Sequence, residues 1–328
     1  MVKAGRTWRL GPAIAVALLA SVGFARAEPV ALTFDDLPTL ALTSSTPYAR
    51  ITTERLLGRL RRHRLPATGF VNEGKLEGAD RTQRIALLSD WLNAGMDLGN
   101  HGYSHESLNR TPVQAYIGDV SRGETVTRAL LAARGRRPRW FRHPYLETGA
   151  TQDIRRTFED WLAAHGYRVA PVSLENADWM FALPYDDAIL RRDRAAAERV
   201  QQAYLTYTAK VVPWYRTAAL GLLGRRPAFV MLLHASRLNA DSMDQIAAIL
   251  RANHLRGVTL ARAMTDPAYG IKDTYVGPDG EEWLSRWSLA LNKSLPWSSF
   301  PEPPVDIAAE SDRLDDEPSP ASRSISAK

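Results

Sequence analysis

The sequence predicts an α/β fold: a distorted (β/α) barrel of about seven parallel strands, with a helical insertion and a C-terminal extension. Three observations carry this. Short apolar runs alternate with longer amphipathic stretches along most of the chain, the pattern of parallel strands joined by crossover helices. No glycine-rich dinucleotide turn follows a strand candidate, which favours a closed or nearly closed barrel over a doubly wound sheet. A length of 328 residues, 45% hydrophobic and 24% charged, suits one barrel domain with a full core and excludes disordered or fibrous classes.

Taken in order, Val30–Phe34 reads as a buried strand and Tyr48–His63 as a helix, with Ile51, Leu56, Leu57 and Leu60 near helical spacing. Thr68–Val71 is the second strand. Arg81–Asn93 is helical, with Ile85, Leu88 and Leu92 on one face and Gly95 closing it. Met96–Gly99 is a short strand, and Thr111-Pro112 opens a helix reaching about Ala133. Arg139–Phe141 is a strand, Asp153–Ala164 a helix ended by Gly166, and Tyr167–Val172 a strand. Phe229–Leu233 is the most apolar strand candidate, Asp241–Ala252 a helix, and Gly257–Leu260 a last strand. Between them, Asp186–Lys210 is charged and helical and Val211–Arg226 is mixed. Residues 186–226 are therefore read as an insertion, with an ordinary crossover helix as the equal alternative to a helical arm.

The two ends differ from the body. Lys3, Arg6 and Arg9 precede an apolar run, Leu10–Phe24, that ends in Ala25-Arg26-Ala27. Residues 1–27 are thus expected to be a secretory signal cleaved after Ala27, with an uncleaved anchor as the alternative. The run falls short of the roughly 20 residues that span a bilayer, so no transmembrane anchor is expected after cleavage. Export to the periplasm or the medium follows. The barrel domain is assigned to residues 28–268 and a packed extension to residues 269–306, with a turn at Pro278-Asp279-Gly280 and packing residues Trp283, Trp287 and Trp297. Residues 307–328, rich in Ser, Pro, Asp and Glu, are expected to be disordered. The absence of cysteine excludes disulfides, a lipoprotein anchor and thiolate zinc sites, so His, Asp or Glu must hold any metal. The net charge of +6 is read as a solvated surface. No arginine-rich run or aromatic stripe points to nucleic acid.

Five short motifs carry chemistry. Thr33-Phe34-Asp35-Asp36 ends the first strand. Asn100-His101-Gly102-Tyr103-Ser104-His105 follows the third, and its two histidines would share one face of a helix and chelate one cation. Phe141-Arg142-His143-Pro144-Tyr145, Asn176-Ala177-Asp178-Trp179 and Leu232-Leu233-His234 complete the set. Each is weak alone. Together they fall at or just beyond the C-terminal ends of predicted strands, which in a β/α barrel share the face that carries the active site.

This ordered set resembles the polysaccharide deacetylase family, carbohydrate esterase family 4, over roughly residues 28–265. The resemblance implies a metal-dependent hydrolase that removes N-acetyl groups from a glycan such as a chitin-like oligomer or peptidoglycan. It implies that Asp36, His101 and His105 ligate a divalent metal, most often Zn2+, with Co2+, Ni2+ or Mn2+ as alternatives. Asp35 would be the general base, oriented by Arg142; His234 the general acid, tuned by Asp178; and the backbone N–H of Tyr145 an oxyanion donor. His143 departs from the family pattern and is read as a bystander or a substrate contact; Trp179 is read as a substrate contact. The alternatives are a non-carbohydrate amide hydrolase on the same scaffold and an inactive carbohydrate-binding envelope protein. The oligomeric state stays open.

Overall fold

The first strand sets the frame, because it lies at the centre of the sheet. In the computed structural model, which describes Met1 and residues 27–315, β1 runs from Glu28 to Leu40 and is buried on both faces over most of its length. That is what a strand covered on both sides by other elements requires. After it come α1 (Thr46–Arg62), β2 (Ala67–Val71), α2 (Arg81–Asn93) and β3 (Asp97–Asn100). Ser45 caps α1 by accepting from the Tyr48 N–H, and Arg59, Arg61 and Arg62 sit at its C-terminal turn.

The predicted single helix after Thr111 is two: α3 (Val113–Arg122) and α4 (Thr125–Ala132). The break falls at Gly123, where an added Cβ would lie 2.4 Å from the Gly102 backbone. The chain therefore needs glycine to pass beneath the His101 loop. Next are β4 (Trp140–Phe141), α5 (Gln152–Ala164) and β5, which shrinks from the predicted Tyr167–Val172 to Arg168–Val169. The two-residue β6 (Leu174–Glu175) has too few positions to show a period in sequence.

The region read as an insertion is the β6–β7 crossover: α6 (Asp178–Leu190) and α7 (Arg194–Leu223), followed by β7 (Phe229–Ser236). The stretch read as mixed, from Val211, continues α7 through Pro213 to Leu223. Tyr204, Val211, Val212 and Tyr215 bury this helix in the main core, which makes it a structural crossover rather than an arm. Then α8 (Arg237–Ala252) is followed by β8 (Leu255–Gly257), and Leu260, expected in a strand, opens the short helix α9 (Leu260–Ala263) instead.

All pairings are parallel, in the order β5-β4-β3-β2-β1-β7-β6, with β8 beside the start of β1. The sheet curls with helices around it but stays open between β5 and β6, a half-barrel rather than a closed one. Beyond α9 the extension forms α10 (Trp283–Ala290) and α11 (Val305–Leu314). Trp287 is fully buried in the main core and Trp283 and Trp297 pack against it. Disorder from 307 was expected, yet Ile307 is fully buried too, so the helix continues to Leu314. The expected signal at 1–27 lies, apart from Met1 and Ala27, outside the described residues. Among the described residues no helix is long and apolar enough to cross a membrane.

Candidate active site

The site grows from a defect in β1. In a regular strand Asp35 and Asp36 would point to opposite faces. Here the pairing of β1 with β2 shifts register after Phe34, and its pairing with β7 shifts after Asp35. Asp36 adopts a left-handed backbone, φ 67°. Such a bulge re-aims side chains, and both carboxylates stay buried at the same end of the sheet with separate partners.

Asp35 meets Arg142. The guanidinium donates Nη1 to both Asp35 oxygens at 3.2 and 3.1 Å, Nη2 to Thr33 Oγ1 at 3.0 Å and Nε to the Ala170 carbonyl at 2.9 Å. Thr33 in turn donates to the Met231 carbonyl. Arg142 is fully buried, over the ring of Phe70, so its geometry is fixed from several sides. Burial raises the Asp35 pKa above its ordinary 3.8, against the charges of Arg142 and His234.

Asp36 meets the histidines. Its Oδ1 lies 3.8 Å from His101 Nε2 and 3.7 Å from His105 Nε2. One ligand atom from each of the three residues falls within 4.8 Å of the others. A tetrahedral cation holding N and O donors at about 2.0–2.2 Å would separate them by roughly 3.4 Å, so small adjustments suffice. Asp36 Oδ1 is buried without a hydrogen-bond partner, the signature of an atom reserved for a cation. His101 Nδ1 donates to the Arg142 carbonyl at 2.8 Å, which turns the Nε2 lone pair towards Asp36. Burial and the neighbouring His105 hold the His101 pKa well below 6.5, which keeps the ring neutral, as a ligand must be. Burial opposes ionisation of Asp36, but Lys75, 3.4 Å away, and the three histidines lower its pKa strongly. The donor set therefore fits a divalent ion.

The histidine pair is not on a helix, as the spacing suggested. His101 directly follows β3, and His105 lies in an irregular loop with φ 59°. The loop is shaped by Asn72, whose side chain donates to the His101 carbonyl, by Asn100, which accepts from the Gly102 N–H, and by Asp119, which accepts from the Tyr103 and Ser104 N–H groups. The 3.6-residue period and a tight loop both bring residues four apart together, and spacing alone cannot separate them.

His234 sits in β7 directly beside Asp35 in β1. Asp178, the first residue of α6, accepts from His234 Nδ1 at 2.9 Å and from the His234 backbone N–H at 2.7 Å. Burial works against protonation of His234, but Asp178, with Asp36 and Asp35, outweighs it and raises the pKa to about 9. Asn239 donates to both Asp178 and the His234 carbonyl, and Tyr204 of α7 donates to Asn239 at 2.7 Å. Trp179 is half-buried against the main core beside Asp178.

Tyr145 lies against the histidine loop. Its ring is 4.6 Å from that of His105, and its backbone, φ 56°, is followed by Leu146 at φ 57°. His143 does not reach the opening. Only 2% exposed, it packs against Phe141 and Phe158, and burial with Arg286 and Arg155 nearby holds its pKa well below 6.5. A ring so enclosed offers no surface to a sugar, which corrects the substrate-contact reading and leaves the bystander one.

Supporting residues that carried no role in the sequence reading include Thr33, Asn72, Asn239 and Arg286. Thr33 was inside a recognised motif, and its place two residues before Asp35, on the same face of a strand, was a usable signal. The others act wholly or partly through partners remote in sequence.

Residues 25–170 match the model of a family described as polysaccharide deacetylase. A peptidoglycan-N-acetylglucosamine deacetylase of Bacillus cereus is 28% identical over 151 residues, 46% of this chain and 46% of that protein. The chain thus spans less than half the length of this curated relative. Among solved structures, a family 4 carbohydrate esterase from Streptomyces lividans in complex with acetate is 22% identical, covering 70% of this chain and 91% of that one, with a TM-score of 0.46. A peptidoglycan deacetylase from Bacillus subtilis is 22% identical, covering 73% and 91%, with a TM-score of 0.46. A family 4 pseudoenzyme from Bacillus anthracis is 13% identical, covering 73% and 66%, with a TM-score of 0.49. The family match ends before Asp178 and His234, so the pairing of those two residues rests on the structure of this chain.

Proposed function

From the match of residues 25–170 to the polysaccharide deacetylase family, we propose that the chain is a metal-dependent deacetylase that hydrolyses N-acetyl groups on a glycan. The observation that carries the proposal is the convergence of three groups on one end of the sheet: the Asp36–His101–His105 donor set, the Arg142-held Asp35, and the Asp178-held His234.

A divalent ion held there would polarise the acetyl carbonyl and acidify water. Asp35 takes the proton of the attacking water. It can do so because Arg142, itself held by Thr33, fixes its direction, while its raised pKa favours holding a proton once received. His234, protonated at neutral pH with a pKa of about 9, gives a proton to the leaving amine nitrogen. The backbone N–H of Tyr145 stabilises the developing oxyanion. The amine and acetate then leave. Zn2+ suits a nitrogen and oxygen donor set best, with Co2+, Ni2+ and Mn2+ as further candidates. Peptidoglycan or a chitin-like oligomer is the proposed substrate class, and the proposed setting is outside the cytoplasm, after cleavage near Ala27.

Acetate release from acetylated glycans, with divalent ions added, tests the proposal. The expected result is release that requires a divalent ion and falls by about 10²–10⁴-fold in Asp35→Asn. No release from chitin oligomers or peptidoglycan, with turnover of small amides instead, would replace the glycan by a non-carbohydrate amide. No release from either would leave a binding protein.

A further inference from the structure

We infer that the C-terminal extension, which lies outside the family match, completes the active site, and that Arg286 is a positioning residue for the Tyr145 peptide group. What Tyr145 does chemically rests on the deacetylase reading. That the extension holds it rests on geometry alone.

Tyr145 and Leu146 are consecutive residues in the left-handed region. Each such residue is strained by about 1–3 kcal/mol and persists only where its surroundings over-determine it. Here the surroundings come from far along the chain. Arg286 of α10 donates Nη2 to the Leu146 carbonyl at 2.8 Å and Nη1 to Thr148 Oγ1 at 2.9 Å. The same guanidinium is held by Asp273 at 2.9 Å and by the Glu281 carbonyl at 2.7 Å, and it is fully buried. Gly280 lies so close that an added Cβ would come within 1.7 Å of the Tyr145 carbonyl oxygen. The backbone of the extension therefore touches the peptide that follows Tyr145, and only glycine allows it.

The neighbouring loop is held by the same segment. Asn109 donates to the carbonyls of Pro278 at 2.7 Å and Gly277 at 3.3 Å, four residues beyond His105. The Tyr145 ring lies against His105 itself. The extension is anchored in turn by Arg155 of α5, which donates to the Tyr275 carbonyl and pairs with Asp273 at 3.2 Å. Residues 273–286 thus tie together the metal-ligand loop and the oxyanion loop. A bidentate fork to a carbonyl and a hydroxyl is a geometry that a point-charged lysine cannot reproduce.

The test uses the full chain with Arg286→Lys and Gly280→Ala. Arg286→Lys keeps the charge beside Asp273 and loses the fork. Gly280→Ala leaves the Arg286 side chain itself unchanged and presses on the Tyr145 carbonyl. Both are measured for bound metal, for thermal unfolding, for kcat and KM in acetate release, and for hydrogen exchange by mass spectrometry. Both should bind one divalent ion as the wild type does and unfold cooperatively. Both should lose about 10²-fold in kcat with KM little changed, as expected when a reacting group shifts by about an ångström. Exchange in residues 143–149 should rise about tenfold with the barrel strands unchanged. If Arg286→Lys does not fold, Gly280→Ala decides. Unchanged kcat in a folded variant of an active wild type would overturn the inference while leaving the deacetylase reading intact. If the wild type releases no acetate, that reading fails. The bracing then stands or falls on whether exchange in 143–149 changes.

Discussion

Replacing Asp178 by Asn should switch off the acid function of His234 without disturbing the metal trio. The His234 pKa of about 9 is the outcome of a contest in which burial is the largest influence and lowers it, while the charge and hydrogen bond of Asp178 lead the groups that raise it. At pH 7 a group with that pKa is about 99% protonated. Asparagine removes the charge, and the pKa drops back towards 6.5, which leaves about a quarter protonated. The hydrogen-bond pattern worsens the loss. The Asp178 oxygens accept from His234 Nδ1, the His234 backbone N–H and Asn239. An asparagine amide can keep the last two acceptor bonds only by turning its NH2 towards His234 Nδ1, which then must be unprotonated. The residual proton would sit on Nε2 of a neutral ring, a far weaker acid.

The same shift makes a stability prediction with a definite sign. The folded pKa lies above the ordinary 6.5, so the stabilisation is fully present below about pH 6.5 and is lost as pH rises through about 9. The gap corresponds to roughly 3 kcal/mol. The assay is an NMR titration of the histidine rings in chelator-treated protein, with melting temperature followed over the same pH range. The wild type should show one ring titrating near pH 9 and a melting temperature that declines between pH 6.5 and 9. In Asp178→Asn both should vanish, and kcat for acetate release should fall by about 10²–10⁴-fold. A wild-type His234 titrating near 6.5, or an unchanged titration in the variant, would refute the reasoning.

Two further outcomes follow from the same geometry. His101→Ala should retain the fold but lose most bound divalent ion by elemental analysis, because it removes the ligand whose direction is set by the Arg142 carbonyl. Ile307→Ala should lower stability by about 2–5 kcal/mol in chemical denaturation, the range for emptying a buried aliphatic site, because Ile307 is fully buried in the main core; a negligible change would show that α11 does not dock.

The strand–helix alternation and the chemistry-bearing residues at strand ends were legible because both are local. Apolar runs such as Phe229–Leu233 declare themselves, and Asp35, His101, Arg142 and His234 each follow or end one. What escaped the sequence was set by contacts across the fold. His143 reads like its functional neighbours until Phe141 and Phe158 are seen to enclose it. The break between α3 and α4 depends on the approach of Gly123 to Gly102, which no period encodes. The 186–226 segment looked like an addition because its charged face dominates the composition, yet Tyr204 reaches from it to Asn239 and so supports Asp178. The tail was read from its polar composition, which outweighed the single isoleucine that anchors it.

The site shows why such long-range support is needed. Asp36, His105, Tyr145 and Ala177, the residue before Asp178, are all non-glycine residues with positive φ. Each is strained, and each has a different brace. Asp36 is held by the register shifts of β1 between β2 and β7, and the His105 loop by Asp119. The Tyr145 loop is held by Arg286. Ala177 follows Asn176, whose amide donates to Tyr204 and Thr208 of α7. About 1–3 kcal/mol of strain per residue would relax wherever a brace were absent, because no strained residue is stable in isolation. On the proposed function, the motif-bearing first half would thus supply the base and the metal ligands. Strand β7 would supply the acid, and the crossover helices and the extension the rigidity; a chain truncated at the end of the family match would keep the candidate ligands and lose the geometry that makes them useful.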